Sequence, residues 1–160
     1  MRTIFTITLA LLLVSAKLDS KLHFVSPKIE VVEASLEEQL APLLEALIIV
    51  ESQGENIVGD NGNAVGILQI WKIQVDECNR VAEIMGRPER FTYEDRWDEE
   101  KSKEMFFIIV EYWHKESGYD WEEISRCWNG GPNGMRLKKT EWYWTKVKRV
   151  LDEQEQIAQR

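Results

Sequence analysis

The sequence predicts a mainly α-helical fold: a single compact domain with little or no sheet. The chain has 160 residues, enough for one domain with a substantial core, and 44% of them are hydrophobic, including seven tryptophans. Apolar residues recur at helical spacing in several stretches, each bounded by capping or breaking residues. Runs with the alternating pattern of β-strands are nearly absent.

Residues 1–16 have the pattern of a secretory signal peptide. Arg2 precedes an apolar run from Ile4 to Val14, and Val14-Ser15-Ala16 is a small-residue cleavage site. The run is shorter than the roughly 20 residues that span a bilayer, so cleavage is favoured over an uncleaved anchor. We therefore expect an exported protein, periplasmic or extracellular, with no stable membrane span after cleavage.

The charge balance disfavours anionic partners. The formal net charge is −8, and removal of residues 1–16, which contain one arginine and no acid, changes −8 to −9. Nucleic acids and anionic membranes are bound largely through Lys and Arg, so nucleic-acid binding is not expected. Export would place Cys78 and Cys127 in an oxidising compartment, where they either form a disulfide or remain two buried thiols.

The domain is expected over residues 35–160, after a linker or N-terminal arm at 17–34 that alternates charged residues with short apolar stretches. Ser35-Leu36-Glu37-Glu38 has the spacing of a capping box, and leucines and isoleucines then recur at helical intervals as far as Glu51. Pro42 either kinks this first helix or begins its longer half.

Further helices follow in order along the chain. One is predicted over 71–84 and a longer one from about 98 to 116, each ended by a glycine. Residues 120–123 repeat the capping-box spacing and open a short helix that ends near the Gly/Pro-rich segment 129–132. Thr140 is predicted to cap the C-terminal helix. Rigid helices would then hold two glycine-rich loops, where function is expected.

Glu51 is the first candidate for chemistry. Residues 46–50 are all apolar, so burial should raise the pKa of this carboxyl and keep it protonated near neutrality, as a general acid requires. The glycine-rich segment 59–66 can bring backbone close to a bound molecule, because glycine adopts φ/ψ values closed to other residues. Together they predict a glycosidase-like cleft, the alternative being a helix-end glutamate with no role.

No metal or cofactor is expected. Asp60-Asn61-Gly62-Asn63 superficially resembles the start of an EF-hand, but the sixth and twelfth positions, which should be Gly and Glu, are Val65 and Trp71. The two cysteines lack the paired histidines of a zinc site. His114, on a predicted helix surface, is not expected to take part in chemistry.

Four segments together resemble the lysozyme-like lytic transglycosylases (SLT domains), with similarity to goose-type lysozymes. Glu51-Ser52 resembles the family's catalytic Glu-Ser, and Gly66-Ile67-Leu68-Gln69 resembles its Gly-x-x-Gln loop. Trp128-Asn129-Gly130-Gly131 is similar to its Tyr-Asn-x-Gly, and Tyr143 to the tyrosine of its last motif. Each segment alone is a weak signal, but their order and spacing make the set specific. The resemblance covers about residues 40–150 and implies a lysozyme-like α+β fold.

The resemblance implies a monomeric enzyme that cleaves the glycan strands of peptidoglycan between N-acetylmuramic acid and N-acetylglucosamine. Glu51 would protonate the leaving sugar oxygen. The implied substrate-binding residues are Ser52, Gln69, Trp128, Asn129 and Tyr143. Among them the amides would bind acetamido groups, the aromatic rings would stack on sugars, and the serine would orient the acid or the loop.

Two departures from the family pattern bear on the reaction. Trp128 replaces the usual tyrosine, which keeps an aromatic wall but removes a hydroxyl. Asp60 is similar in placement to one of two acids that hold water in goose-type lysozymes, whereas the second place is Trp71. Hydrolysis by Glu51 and Asp60 is therefore the alternative, and a lytic transglycosylase is favoured. A catalytically silent glycan-binding protein, or a virion or envelope assembly protein, is the alternative from another class.

Overall fold

The computed structural model describes residues 34–160, which form a mainly helical domain with a two-stranded sheet. The helices are α1 (Leu36–Ser52), α2 (Lys72–Ile84), α3 (Glu99–His114), α4 (Trp121–Gly130) and α5 (Lys138–Ala158). The strands β1 (Val58–Gly59) and β2 (Ala64–Val65) pair antiparallel, with Val58 opposite Val65. The predicted helical class with little sheet is confirmed. The predicted signal peptide and the arm as far as residue 33 lie outside the described residues.

Helix α1 begins and ends close to the predicted positions. The Ser35 hydroxyl accepts from the Glu38 N–H, and the Glu38 carboxyl accepts from the Ser35 N–H at 2.8 Å, which completes the predicted capping box. The helix continues through Pro42, which lies on its exposed side. It ends at Ser52 because Gln53 adopts a left-handed conformation, with φ of 59°. Glu51 is therefore held in the last helical turn.

One continuous core joins all five helices to the loop that follows β2. Helix α1 packs on α5 and α3, α2 packs on α3, and α4 packs on α5. The largest fully buried side chains are Leu40, Leu43, Leu47, Leu68, Ile70, Val75, Val81, Met105, Phe106, Ile108, Val110 and Ile124. Because Leu68 and Ile70 belong to this set, the glycine-rich loop is anchored in the core rather than lying on the surface. Among residues 34–160, no helix has both the length and the apolar character needed to cross a bilayer.

Helix α5 begins earlier than predicted, so the assignment of Thr140 as its cap is wrong. The helix starts at Lys138, and Thr140 lies fully buried in its first turn. The Thr140 hydroxyl lies 2.6 Å from the carbonyl oxygens of Gly134 and Leu137 and accepts from Arg126 Nε at 3.3 Å. Its polar group therefore joins α4 to the start of α5 instead of capping a helix.

Cys78 and Cys127 are free thiols, so of the two alternatives left open by the sequence the disulfide is not formed. Cys78 is completely buried between α2 and α3, with its Sγ 3.8 Å from the carbonyl oxygen of Met105. Burial raises the pKa of the Cys78 thiol to about 12, which makes it unreactive. Cys127 lies on α4, where its side chain is only partly buried. The alternative of two buried thiols therefore holds for Cys78, whereas Cys127 is free but not fully buried.

The packing of α1 predicts a sharp contrast between neighbouring positions. Leu47→Ala deletes a side chain with no exposed surface and should lower the free energy of unfolding by about 2–5 kcal/mol. Ile49→Ala on the same helix, where the side chain is 43% exposed, should cost less than about 1 kcal/mol. Urea unfolding monitored by circular dichroism measures both, and equal losses would contradict this orientation of α1.

Candidate functional site

A cleft with a volume of about 780 Å³ lies where α1 ends and the β1–β2 loop, α3 and α4 meet. Five sequence-predicted residues line it: Glu51, Asp60, Gln69, Trp128 and Asn129. The other two, Ser52 and Tyr143, are buried. Ser52 hydrogen-bonds the Ile67 carbonyl oxygen, and Tyr143 hydrogen-bonds Glu51. The four motif segments are thus brought together by the fold.

The Glu51 carboxyl is largely buried and is held by a residue 92 positions away. The Tyr143 hydroxyl donates to Glu51 Oε1 at 2.6 Å. Burial raises the pKa of Glu51, and this outweighs the lowering by the Tyr143 hydrogen bond and by the positive charge of Lys146. The C-terminal end of a helix dipole also disfavours a carboxylate in the last turn of α1. The Glu51 carboxyl therefore stays protonated to a higher pH than an exposed glutamate does.

The surroundings of Tyr143 keep its phenol protonated. Burial, the nearby Glu51 charge and the hydrogen bond to it raise the pKa of Tyr143 well above its ordinary value, so the phenol remains a donor. Within residues 34–160, no other hydrogen bond engages the Glu51 carboxyl. The second oxygen, Oε2, is therefore left to carry and release a proton.

Ser52 fastens the end of α1 to the glycine-rich loop. Its hydroxyl donates to the Ile67 carbonyl oxygen at 2.8 Å and accepts from the Gly54 N–H at 3.2 Å. Only 5% of the residue is exposed. Ser52 therefore holds the loop against the end of α1 and, although predicted among the substrate-binding residues, it does not line the cleft.

Gln69 is placed at the cleft by an unusual backbone conformation, with φ of 48°. Its Nε2 donates to the carbonyl oxygens of Ile57 at 3.0 Å and Gly66 at 2.8 Å, which uses both amide hydrogens. A side chain at Gly59 would collide with Gln69 Oε1, because an added Cβ would lie 2.1 Å from it. Gln69 thus braces the loop, and its Oε1 remains as the acceptor for a ligand amide.

Asp60 lines the same cleft from a turn in the left-handed conformation. It has φ of 46° and begins a 3₁₀ turn, and its carbonyl oxygen accepts from the Asn63 N–H and side-chain amide. The residue is exposed and lines the cleft. Left-handed conformations at residues other than glycine cost free energy and cluster at functional sites, which fits a role for this turn.

Arg96 is a buried support that sequence reasoning missed. It is 6% exposed, and its Nη1 donates to the carbonyl oxygens of Asn63 at 3.2 Å and Ile70 at 3.1 Å. An added Cβ at Gly66 would lie 1.9 Å from the Arg96 carbonyl oxygen, so the two backbones pack directly. Gly66, with φ of 81°, is the residue that makes this approach feasible. An isolated arginine among acidic neighbours gives no sequence signal for such a role.

Trp128 and Asn129 form the α4 side of the cleft. The Trp128 ring packs edge-on against Phe106, with the centroids 5.3 Å apart, which anchors it while leaving it at the cleft surface. Asn129 is exposed and lines the cleft, and within the described residues no hydrogen bond engages its side-chain amide. The amide is therefore available to a ligand.

His114 and Glu123 also line the cleft, contrary to the prediction of a surface histidine. His114 is 5% exposed, and its Nδ1 lies 3.3 Å from Glu123 Oε1 without the alignment of a hydrogen bond. Burial lowers the pKa of His114 despite the nearby carboxylate of Glu123. Both residues lie on helix faces whose orientation toward the cleft depends on tertiary packing, so their sequence context gave no signal.

Comparison with protein-family profiles, with curated proteins and with solved structures finds no match for this chain. The interpretation of the cleft therefore depends on its own geometry and on the four motif segments. Three of those segments line one cleft, and the fourth supplies Tyr143, which hydrogen-bonds Glu51 from 92 positions away.

The burial of Glu51 predicts a pH-dependent effect of its removal. Because its pKa is raised in the folded state, its contribution to stability is present below the unfolded pKa and is lost as the pH rises through the folded pKa. Glu51→Gln abolishes the ionisation, so this variant should unfold at a higher urea concentration than the wild type at neutral pH. The two should converge below about pH 4, where the unfolded glutamate is also protonated.

Urea midpoints of both proteins at acidic and neutral pH measure this difference. The exposed loop residue Glu55 supplies the control, and Glu55→Gln should change the midpoint little at either pH. A Glu51→Gln variant less stable than the wild type at neutral pH would show that the carboxylate is stabilised, not penalised, at this place.

Proposed function

We propose that this chain is a peptidoglycan-cleaving enzyme with a lysozyme-like α+β fold, a lytic transglycosylase that acts between N-acetylmuramic acid and N-acetylglucosamine. The observation that carries the proposal is the largely buried Glu51 carboxyl, hydrogen-bonded by Tyr143, at the surface of an open cleft. A neutral acid beside a groove for a polymer is the requirement for glycoside cleavage. Export to the periplasm or the extracellular space, and action as a monomer, belong to the same proposal.

In the first step Glu51 donates its proton to the glycosidic oxygen as the bond to the muramic acid breaks. The carboxylate left behind would be costly in this buried place, but the Tyr143 hydroxyl already donates to it. Tyr143 therefore lowers the free energy of the ionised acid at the moment when it forms. Glu51 is then ready to act as the base in the second step.

The second step differs between a lytic transglycosylase and a hydrolase. In a lytic transglycosylase, Glu51 removes a proton from a hydroxyl of the same sugar, which attacks and closes a 1,6-anhydromuramyl ring. In a hydrolase, a second carboxylate holds an attacking water. Asp60 is the candidate for that carboxylate. Goose-type lysozymes have two acids that hold water, however, and Trp71 stands in the place of the other one; it is 41% exposed and lines the cleft. An indole cannot orient a water as a carboxylate does, so the intramolecular route is favoured.

Substrate contacts follow from the groups left free around the acid. Asn129 has an unengaged amide, Gln69 retains one acceptor, and Trp128 offers an anchored aromatic surface. Two amides and an aromatic ring suit N-acetylated sugars, which have an acetamido group and an apolar ring face. This set distinguishes the proposal from cleavage of an unsubstituted glycan.

The catalytic proposal predicts a large loss of activity in Glu51→Gln. Removing a general acid costs about 10²–10⁴-fold in rate, so the loss of turbidity of isolated sacculi should slow by at least about 100-fold. Glu55→Gln changes the same residue type just outside the cleft and should leave the rate unchanged. Equal activity of Glu51→Gln and wild type would exclude the assigned role. Glycan binding by a wild type without any activity would favour the catalytically silent alternative.

The favoured route predicts the products. Mass spectrometry of the released muropeptides should show species lighter by one water than reducing-end muropeptides, and Asp60→Asn should release the same species at a similar rate. Reducing ends, together with severe impairment of Asp60→Asn, would instead establish hydrolysis with Asp60 as the water-binding carboxylate.

A further inference from the structure

Part of the cleft is walled by tryptophans that the four motif segments do not include. We call Trp71, Ile73 and Trp113 the tryptophan wall. They come from the segment that opens α2 and from the end of α3, they line the same cleft as Glu51, and they are 41%, 71% and 44% exposed. Large apolar side chains exposed together in a concave place mark binding sites more often than chance.

The Trp113 indole is held in one orientation by polar contacts along its edge. Its Nε1 donates to Glu77 Oε1 at 2.8 Å, and Arg80 binds both oxygens of Glu77, at 2.6 and 2.7 Å. Tyr112 meets the ring edge-on at a centroid distance of 5.1 Å. The only polar atom of the indole is thereby satisfied inside the protein, and the exposed part of the side chain lines the cleft. A ring fixed in advance loses little conformational entropy on binding.

The two charged residues that contact Trp113, Glu77 and Arg80, are paired with each other. The hydrogen bonds from Arg80 lower the pKa of Glu77, which stays ionised, and the guanidinium also lies 5.9 Å from the centroid of the Trp113 ring. A carboxylate and a guanidinium that neutralise each other offer little to a charged ligand. The wall therefore suits an uncharged group with one apolar face and a polar rim, which is the description of a pyranose ring.

We propose that the tryptophan wall is a second sugar-binding subsite, in which Trp113 stacks on a sugar of the glycan strand beyond the pair whose bond is cleaved. This inference rests on the proposed function, because it needs a glycan in the cleft. The volume of about 780 Å³ is within the range that holds ligands of several rings, so a strand at Glu51 has room to continue to the wall. Trp71 and Ile73 enlarge the apolar surface, and Glu77 is a positioning residue for Trp113.

A contact that is equally strong in the ground state and the transition state contributes uniform binding, so its loss weakens affinity and raises KM without changing kcat. Its effect must also depend on the length of the glycan. In the full chain bearing Glu51→Gln, isothermal titration with an N-acetylglucosamine–N-acetylmuramic acid disaccharide and with the corresponding octasaccharide separates the two sites. Trp113→Ala should weaken octasaccharide binding by about tenfold or more, the equivalent of 1.4 kcal/mol, and leave disaccharide binding unchanged.

Two further variants make the test specific. Trp113→Phe keeps an apolar ring and loses the N–H that anchors it, so its octasaccharide affinity should fall between those of the wild type and Trp113→Ala. It also tests the subsite if the alanine variant does not fold. Trp142→Ala removes a tryptophan that is 67% exposed on α5 and does not line the cleft, and should leave both affinities unchanged.

The possible outcomes separate this inference from the proposed function. Unchanged octasaccharide affinity in Trp113→Ala, or equal losses for the two ligands, would overturn the subsite while Glu51→Gln still abolishes cleavage of sacculi. Competition by a free stem peptide at Trp113 would overturn it in favour of a peptide site. Failure of every variant to bind either glycan, with sacculi left intact by the wild type, would overturn the proposed function together with the subsite.

Discussion

The hydrogen bond from Tyr143 to Glu51 is the contact on which the site depends. It joins the end of α1 to the second turn of α5, and it is formed in a place where burial penalises the charge of the acid. Its geometry requires that α1 stop at Ser52 and that α5 pack along α1. The capping, the left-handed stop at Gln53 and the apolar seam between the two helices therefore all serve the placement of one carboxyl.

The loop side of the cleft is held in place by hydrogen bonds from side chains. After β2, the segment 66–70 is irregular, yet its apolar side chains are buried and its backbone is bound by Arg96, by Ser52 and by the amide of Gln69. Irregular backbone placed in a core must have each polar group satisfied. Side chains here supply hydrogen-bond partners that a sheet would otherwise give, and they hold Gln69 in the same cleft as Glu51.

Local rules predicted the helices well and the cleft only in part. The capping boxes at Ser35 and Asp120 and the apolar spacing of α1, α3 and α4 give boundaries close to those observed. Thr140 failed because its hydroxyl is used by the tertiary partners Arg126 and Gly134, which no local pattern reveals. Four motifs indicated Glu51, Gln69, Asn129 and Tyr143 from residue type and order. By contrast, Arg96, His114 and Trp113 reach the site through helix orientation and long-range packing, which a single sequence does not encode in readable form.

The contact between Gly134 and α4 has a consequence for the freedom of the chain to change its length. An added Cβ at Gly134 would lie 2.1 Å from the Arg126 carbonyl oxygen, so the connection from α4 to α5 packs tightly against α4 at this position. The connection from α3 to α4 is different: residues 115–118 are exposed, and the Cβ position of Gly118 is open. Insertions, affinity tags or fused domains should therefore be accepted between α3 and α4, whereas a single added residue between α4 and α5 would move Tyr143 out of register with its acid.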